Sequence, residues 1–137
     1  MMGYDVTHSW LVFYITNGLY LLNQNDFQLT EEMTDKCIDF LEYCKTDGAF
    51  GGGDGQVAQL APTYAAFLSI LNLGEKAYYL IDKEEMYQFF KRRRCGNTFT
   101  MMEYGECDLR AIYIVTIIVK VLKMNNDGLE GVEKAII

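Results

Sequence analysis

Residues 48–66 read GAFGGGDGQVAQLAPTYAA, with glycine at five of the first eight positions and, at Pro62, the single proline of the 137-residue chain. Such a stretch could cradle a phosphate, act as a flexible linker, or turn the chain between packed elements. A phosphate loop of the GxxxxGK[ST] type needs a lysine and a hydroxyl after the glycines, and a dinucleotide loop needs GxGxxG between a strand and a helix. Neither pattern is present, the segment before the glycines has a helical stripe, and Asp54 would repel a phosphate. The glycines are therefore expected to let the backbone turn tightly and pack against its neighbours.

The surroundings of this stretch occur twice. CIDFLEYCKTDGAF (37–50) aligns with MYQFFKRRRCGNTF (86–99) at an offset of 49 residues. At that offset Phe40 meets Phe89, Leu41 meets Phe90, and Tyr64 meets Tyr113, each tyrosine opening an apolar run (YAAFLSILNL and YIVTIIVKVL). At twice the offset Ile38 falls on Ile136, so LEGVEKAII reads as the start of a third copy. WLVFYITNGLYLL (10–22) resembles the second half of a copy. Periods of ~20–50 residues mean stacked supersecondary units.

Each unit reads as helix, loop, helix. Thr30 is an N-cap candidate followed by Glu31 and Glu32, and Met33, Cys37, Phe40, Leu41 and Cys44 recur at helical spacing. Asp82 caps the equivalent segment DKEEMYQFFKRRR. Pro62 stands near the start of the next helix, where its missing N–H costs least, and Gly74 ends it. IYIVTIIVKVL favours a strand by propensity, but its place in the repeat favours a helix buried on both sides. The expected fold class is all-α: an α/α barrel (toroid) segment of repeated outer-helix/loop/inner-helix units, incomplete in this chain. The 1–137 chain forms one partial domain, with units at roughly 30–74 and 82–123 and a third beginning near 129.

Half the residues are hydrophobic and 14% are aromatic, enough for a core. The net charge of −7 argues against a nucleic-acid binder. The one basic run, Lys91-Arg92-Arg93-Arg94, reads as a solvated helix end or as a phosphate or anionic-lipid site. No secretory signal opens the chain, no segment reaches the ~18 uninterrupted apolar residues of a membrane span, and the cytoplasm is the expected compartment. Cys37, Cys44, Cys95 and Cys107 are expected to be free buried thiols rather than a zinc site or disulfide framework. Cys107-Asp108 lacks further ligands at a familiar spacing, and His8 is the only histidine.

Trp10, Tyr14, Tyr64 and Tyr113 all fall on the inner helices. They either pack the core or wall an apolar cavity suited to a greasy, chain-like ligand. Arg110, three residues before Tyr113, is expected to point inward and to need an anionic partner. Asp108 or Glu106 could serve, as could a ligand's carboxylate or diphosphate.

FGGGDGQVAQLAPTYAA, YGECDLRAIY and HSWLVFYITNGLYLL resemble, in order and spacing, motifs of the protein farnesyltransferase β subunits. The likeness covers about positions 4 to 137 and is stronger than to the geranylgeranyl relatives. It implies an α/α barrel with an aromatic-lined funnel that transfers farnesyl from farnesyl diphosphate to the cysteine thiol of a C-terminal CaaX sequence. It also implies an α-subunit partner, a catalytic zinc that activates the thiolate, and magnesium on the diphosphate. By resemblance Trp10, Tyr64, Met101, Arg110 and Tyr113 match isoprenoid-binding positions. Thr7, Trp10, Tyr14, Gln59, Ala61 and Pro62 match the pocket for the CaaX peptide. Tyr14 stands where the family usually has a second tryptophan, Gln59 where a histidine is usual, and Thr7 where a serine is common.

The family's zinc ligands and diphosphate-binding residues come later in its sequences, so none is assigned here. The resemblance thus implies a β-subunit fragment that is inactive alone and, with inner-helix faces uncovered, prone to self-association. Two other readings are a non-catalytic scaffold or binding module derived from a prenyltransferase, and a geranylgeranyltransferase β subunit. A terpene cyclase would need DxDD or DDxxD, and neither occurs.

Overall fold

A computed structural model describes residues 7–22 and 29–135. Its helices are α1 (His8–Leu22), α2 (Glu31–Cys44), α3 (Leu60–Leu73), α4 (Lys83–Arg93) and α5 (Leu109–Val121). α2 and α4 are the amphipathic outer helices. Both start on side-chain caps, Thr30 accepting from the Met33 N–H and Asp82 from the Glu85 N–H, which satisfies a donor that the helix leaves unpaired. Acidic residues fill both first turns, and Lys91, Arg92 and Arg93 close α4 against its negative end.

α3 is the centre of the fold. It packs on α1, α2 and α5, and Leu60, Pro62, Thr63, Ala65, Ala66, Phe67, Ser69 and Ile70 are all buried. The apolar pattern on several sides of this helix requires neighbours on several sides. α5, β-branched along most of its length, is helical because the same requirement outweighs its strand propensity. It buries Ala111, Ile112, Ile114, Val115, Ile118 and Val119. Phe50, Phe67, Phe89 and Phe99 are fully buried in the same core, each contributing about 1.5–3 kcal/mol of apolar burial.

The loops contain strands that helical patterning alone does not reveal. β1 (Lys45–Thr46) pairs with β2 (Ala49–Phe50), and β3 (Arg94–Cys95) pairs with β4 (Thr98–Thr100), both antiparallel. β5 (Cys107–Asp108) adds to β4. Each outer helix thus runs directly into a two-residue hairpin before the inner helix begins. Asp47 and Gly48 both have positive φ (51° and 76°), the backbone of a tight hairpin turn. Gly48 also meets the next unit: a Cβ there would lie 2.6 Å from the Glu85 carbonyl oxygen of α4.

The cysteine expectation is corrected at two of four positions. Cys95 and Cys107 are disulfide-bonded, while Cys44 is free and buried and Cys37 is free but only half-buried. The sheet register explains the pairing: β3 and β5 flank β4 and bring the two Cα atoms to 6.5 Å, within disulfide reach. In the basic run Lys91 and Arg92 are exposed at the helix end, as expected, and the correction falls on Arg93. Arg93 is buried against the Phe89 ring rather than solvated, and Arg92 donates to the Asp47 carboxylate and carbonyl. After α5, residues Asn126–Leu129 and Val132–Ala135 form short 3-10 turns, with Val132 in the core. The repeat position at Ile136 lies outside the described residues.

Gly48→Ala combines a positive-φ penalty with a backbone clash and is expected to cost more than about 1 kcal/mol. Gly55, also at positive φ but facing open space, should cost less as alanine. Chemical denaturation of the two variants measures this, and equal losses would contradict a close approach at Gly48.

Candidate functional site

The residues after the glycines are set in place by a knot of hydrogen bonds. Gly51 N–H donates to the Cys44 carbonyl, Gln59 N–H to the Phe50 carbonyl, and His8 N–H to the Gly52 carbonyl. The buried Thr63 hydroxyl accepts from the Phe50 N–H (3.1 Å) and donates to the Gln59 carbonyl (2.6 Å). Together these bonds bring the first turns of α1 and α3 to the same end of the molecule. Leu60 N–H donates to the Met101 carbonyl, tying the second hairpin loop to the same place.

At that end the aromatics form a continuous row. The Tyr14 and Trp10 rings lie 5.8 Å apart, Trp10 and Tyr64 6.4 Å, and Tyr64 and Tyr113 5.8 Å. The phenol oxygens of Tyr64 and Tyr113 are 3.2 Å apart. The 49-residue offset seen in sequence puts both tyrosines at the fifth position of their helices, so helices of equal depth present them side by side. Their exposure decides between core and wall. Tyr14 and Tyr113 are 61% and 57% exposed, and Trp10 and Tyr64 are half-buried. The row is therefore a surface.

The face around the row is apolar. On α3 Ala61, Tyr64, Leu68 and Leu71 are among the more open positions and form one stripe by helical spacing, with Asn72 and Leu73 also partly open at the helix end. α1 exposes Leu11, Tyr14 and Ile15. Beside α5 an apolar groove of about 600 Å³ is lined by Leu109, Tyr113, Ile117, Leu129 and Val132.

Of the residues expected at a site, Trp10, Tyr14, Tyr64 and Tyr113 are in contact through the row. Met101 is half-buried against the core, and Thr7, Gln59 and Ala61 lie at the same end. Pro62 is buried, so its ring packs the core rather than an open face. Arg110 is not the buried cation expected: its side chain is 81% exposed, and it forks onto Asp108, one of the two side-chain partners expected for it, with N–O distances of 2.9 and 2.6 Å to one carboxylate oxygen. Asp108 also accepts from the Arg110 backbone N–H at the start of α5. The bonds from Arg110 hold the Asp108 carboxyl below the usual carboxylate range. The hydroxyl contact between Tyr64 and Tyr113 and the Thr63 anchor had no signal in the sequence beyond the repeat itself.

Among the described residues no group of three or more histidine, cysteine or acidic side chains could hold a metal ion. Cys107 is taken by Cys95 and Asp108 by Arg110, so this pair does not fit a zinc site.

Residues 1–137 match the prenyltransferase alpha-alpha toroid domain. The chain belongs to that family. It is 34% identical over 128 residues to a protein farnesyltransferase subunit beta of Arabidopsis thaliana, covering 91% of this chain and 26% of the relative. The Pisum sativum subunit is 33% identical over 128 residues (91% and 30%). That of Saccharomyces cerevisiae is 32% identical over 138 residues (96% and 32%). The chain thus spans about a quarter to a third of the length of these relatives. Within the family, the α2/α3 and α4/α5 pairs are successive outer and inner helices of a partial toroid. No helix among the described residues is long and apolar enough to cross a membrane.

Burial, followed by the hydrogen bond and charge of Tyr113, pushes the Tyr64 phenol up to about 12. Folding thus favours the neutral phenol. Its stabilising contribution is complete below the ordinary tyrosine value of about 10 and is lost as pH rises from there through about 12. In an alkaline absorbance titration Tyr64→Phe should remove the latest-ionising phenol. Survival of that step in the variant would show that the pair does not form.

Proposed function

We propose that this chain is part of a protein farnesyltransferase β subunit and forms the wall along which a farnesyl chain lies. The observation that carries this reading is the open aromatic row Trp10–Tyr64–Tyr113 on three successive inner helices. Flat apolar rings with polar edges suit an unsaturated hydrocarbon chain, which gains from leaving water and needs few directed bonds. In this reading Met101 and the α3 stripe extend the wall. Arg110 offers guanidinium donors to an anionic group of the isoprenoid or of the peptide terminus by sharing or leaving Asp108.

The first turns of α1 and α3, with Thr7, Tyr14, Gln59 and Ala61, would meet the last side chain of a CaaX peptide. Pro62 would act from behind by fixing the turn. The whole subunit would work with an α subunit, on farnesyl diphosphate and CaaX-protein C-termini. Zinc, which activates a thiol in such enzymes, has no fitting site among the described residues, and no step is assigned to it. This chain's own part is to bind and orient the isoprenoid and to exclude water from it. Alone, its uncovered inner faces favour self-association.

Trp10 is the single tryptophan, so its fluorescence reports directly on the wall. Titration with farnesyl diphosphate should give saturable quenching, weakened about tenfold or more in Tyr64→Ala by loss of apolar contact. Absence of saturable quenching would refute an isoprenoid wall and leave a scaffold. The isolated chain, supplied with zinc and a CaaX peptide, should transfer no farnesyl, and observed transfer would overturn its reading as a partial subunit.

A further inference from the structure

The basic run at the end of α4 is not used by the aromatic wall. Its three arginines line a cavity of about 610 Å³ together with Asp47, Thr100 and Glu103. The cavity shares no residue with the row. Arg92 and Arg94 are engaged: Arg92 donates through one terminal nitrogen to Asp47, and Arg94 donates to the Gly96 and Glu130 carbonyls.

Arg93 differs from both. Its residue is 94% buried (6% exposed), its guanidinium carbon lies over the Phe89 ring, 5.1 Å from the centroid, and its Nε–H has no hydrogen-bond partner among the described residues. Its nearest anion is the Asp47 carboxylate at 3.9 Å, beyond hydrogen-bond reach. A guanidinium keeps its charge and carries five donors in a fixed fork. Among the described residues that buried group has one long ion contact and the Phe89 ring, whereas buried charges are ordinarily paired and hydrogen-bonded. The Thr100 hydroxyl at the cavity makes only a long 3.4 Å bond, to the Arg93 carbonyl.

We propose that this cavity, between the Asp47–Gly48 turn and the second hairpin, binds a phosphate-class oxyanion on the Arg93 guanidinium, with Arg92 and the Thr100 hydroxyl as supporting donors. An oxyanion supplies several acceptors at once to a planar fork. A dianion also fits a cavity in which three guanidinium groups outnumber two carboxylates. Asp47 is then a competitor: it occupies Arg92 and stands off from Arg93.

The test uses the full chain and inorganic phosphate, with acetate and chloride at matched ionic strength. Phosphate-31 NMR and thermal unfolding are followed as phosphate is added. The expected result is a saturable phosphate shift and a rise in Tm that neither acetate nor chloride reproduces. Arg93→Met should weaken the response at least about tenfold, as loss of a charge-assisted bond implies. Asp47→Asn, which keeps a residue tolerant of positive φ at the turn, should tighten phosphate binding, and it tests the site even if Arg93→Met does not fold. Equal responses to phosphate and chloride would overturn the proposal. So would a response as strong with acetate, which would make the site one for carboxylates, or an unchanged or weaker affinity in Asp47→Asn.

Discussion

The Thr63 hydroxyl is the constraint on which the site depends. It is fully buried at the start of an apolar helix, where an unpaired hydroxyl would cost about 1–3 kcal/mol. It meets that requirement by bonding Phe50 at the end of the first hairpin and Gln59 at the end of the glycine loop. One side chain thus fixes where the outer helix hands over to the inner one. Phe50, seated in the core by this bond, fixes the depth of the hairpin. Tyr64 is the next residue along α3, and its position beside Trp10 and Tyr113 follows from that depth.

A toroid segment of this kind solves a packing problem in two layers. The outer helices α2 and α4 bury one face and leave the other polar. The inner helices α3 and α5 bury much of their surface in the core and keep an open side, while α1 buries only Ser9 and Thr16 and leaves most of its apolar surface open. Close approach between units then has to be made by small groups, and Gly48 beneath the α4 backbone is the clearest case. The ties between units are polar as well as apolar. Arg92 binds the Asp47 turn of the preceding unit, and Arg94 binds the Glu130 carbonyl that follows.

The helices were legible in sequence because their information is local: a cap, acidic first-turn residues and a three- and four-residue apolar spacing. The repeat supplied what propensity could not, assigning α5 as a helix and pairing Tyr64 with Tyr113. The hairpins were hidden because strands of two or three residues carry too little alternation to register, although Asp47-Gly48 is a recognised turn signal. The Cys95–Cys107 bond depended on the β3–β4–β5 register, which no spacing rule encodes. Two arginines differ from expectation in burial, in opposite directions. Arg93, in a run that looked solvated, is buried, and Arg110, thought buried, lies exposed on Asp108, two residues before it. Burial of a long cation depends on which neighbour its helix end meets, and that is a tertiary fact.

The central claim is that the inner-helix aromatic row is a binding surface for an isoprenoid chain. Photolabelling of the chain with a diazirine-bearing farnesyl diphosphate analogue, followed by peptide mass spectrometry, tests it most directly. Labels concentrated on residues 10–15, 61–68, 101 and 113–117, and displaced by excess farnesyl diphosphate, are the predicted result. Labels spread over the outer helices, or not displaced by farnesyl diphosphate, would contradict it.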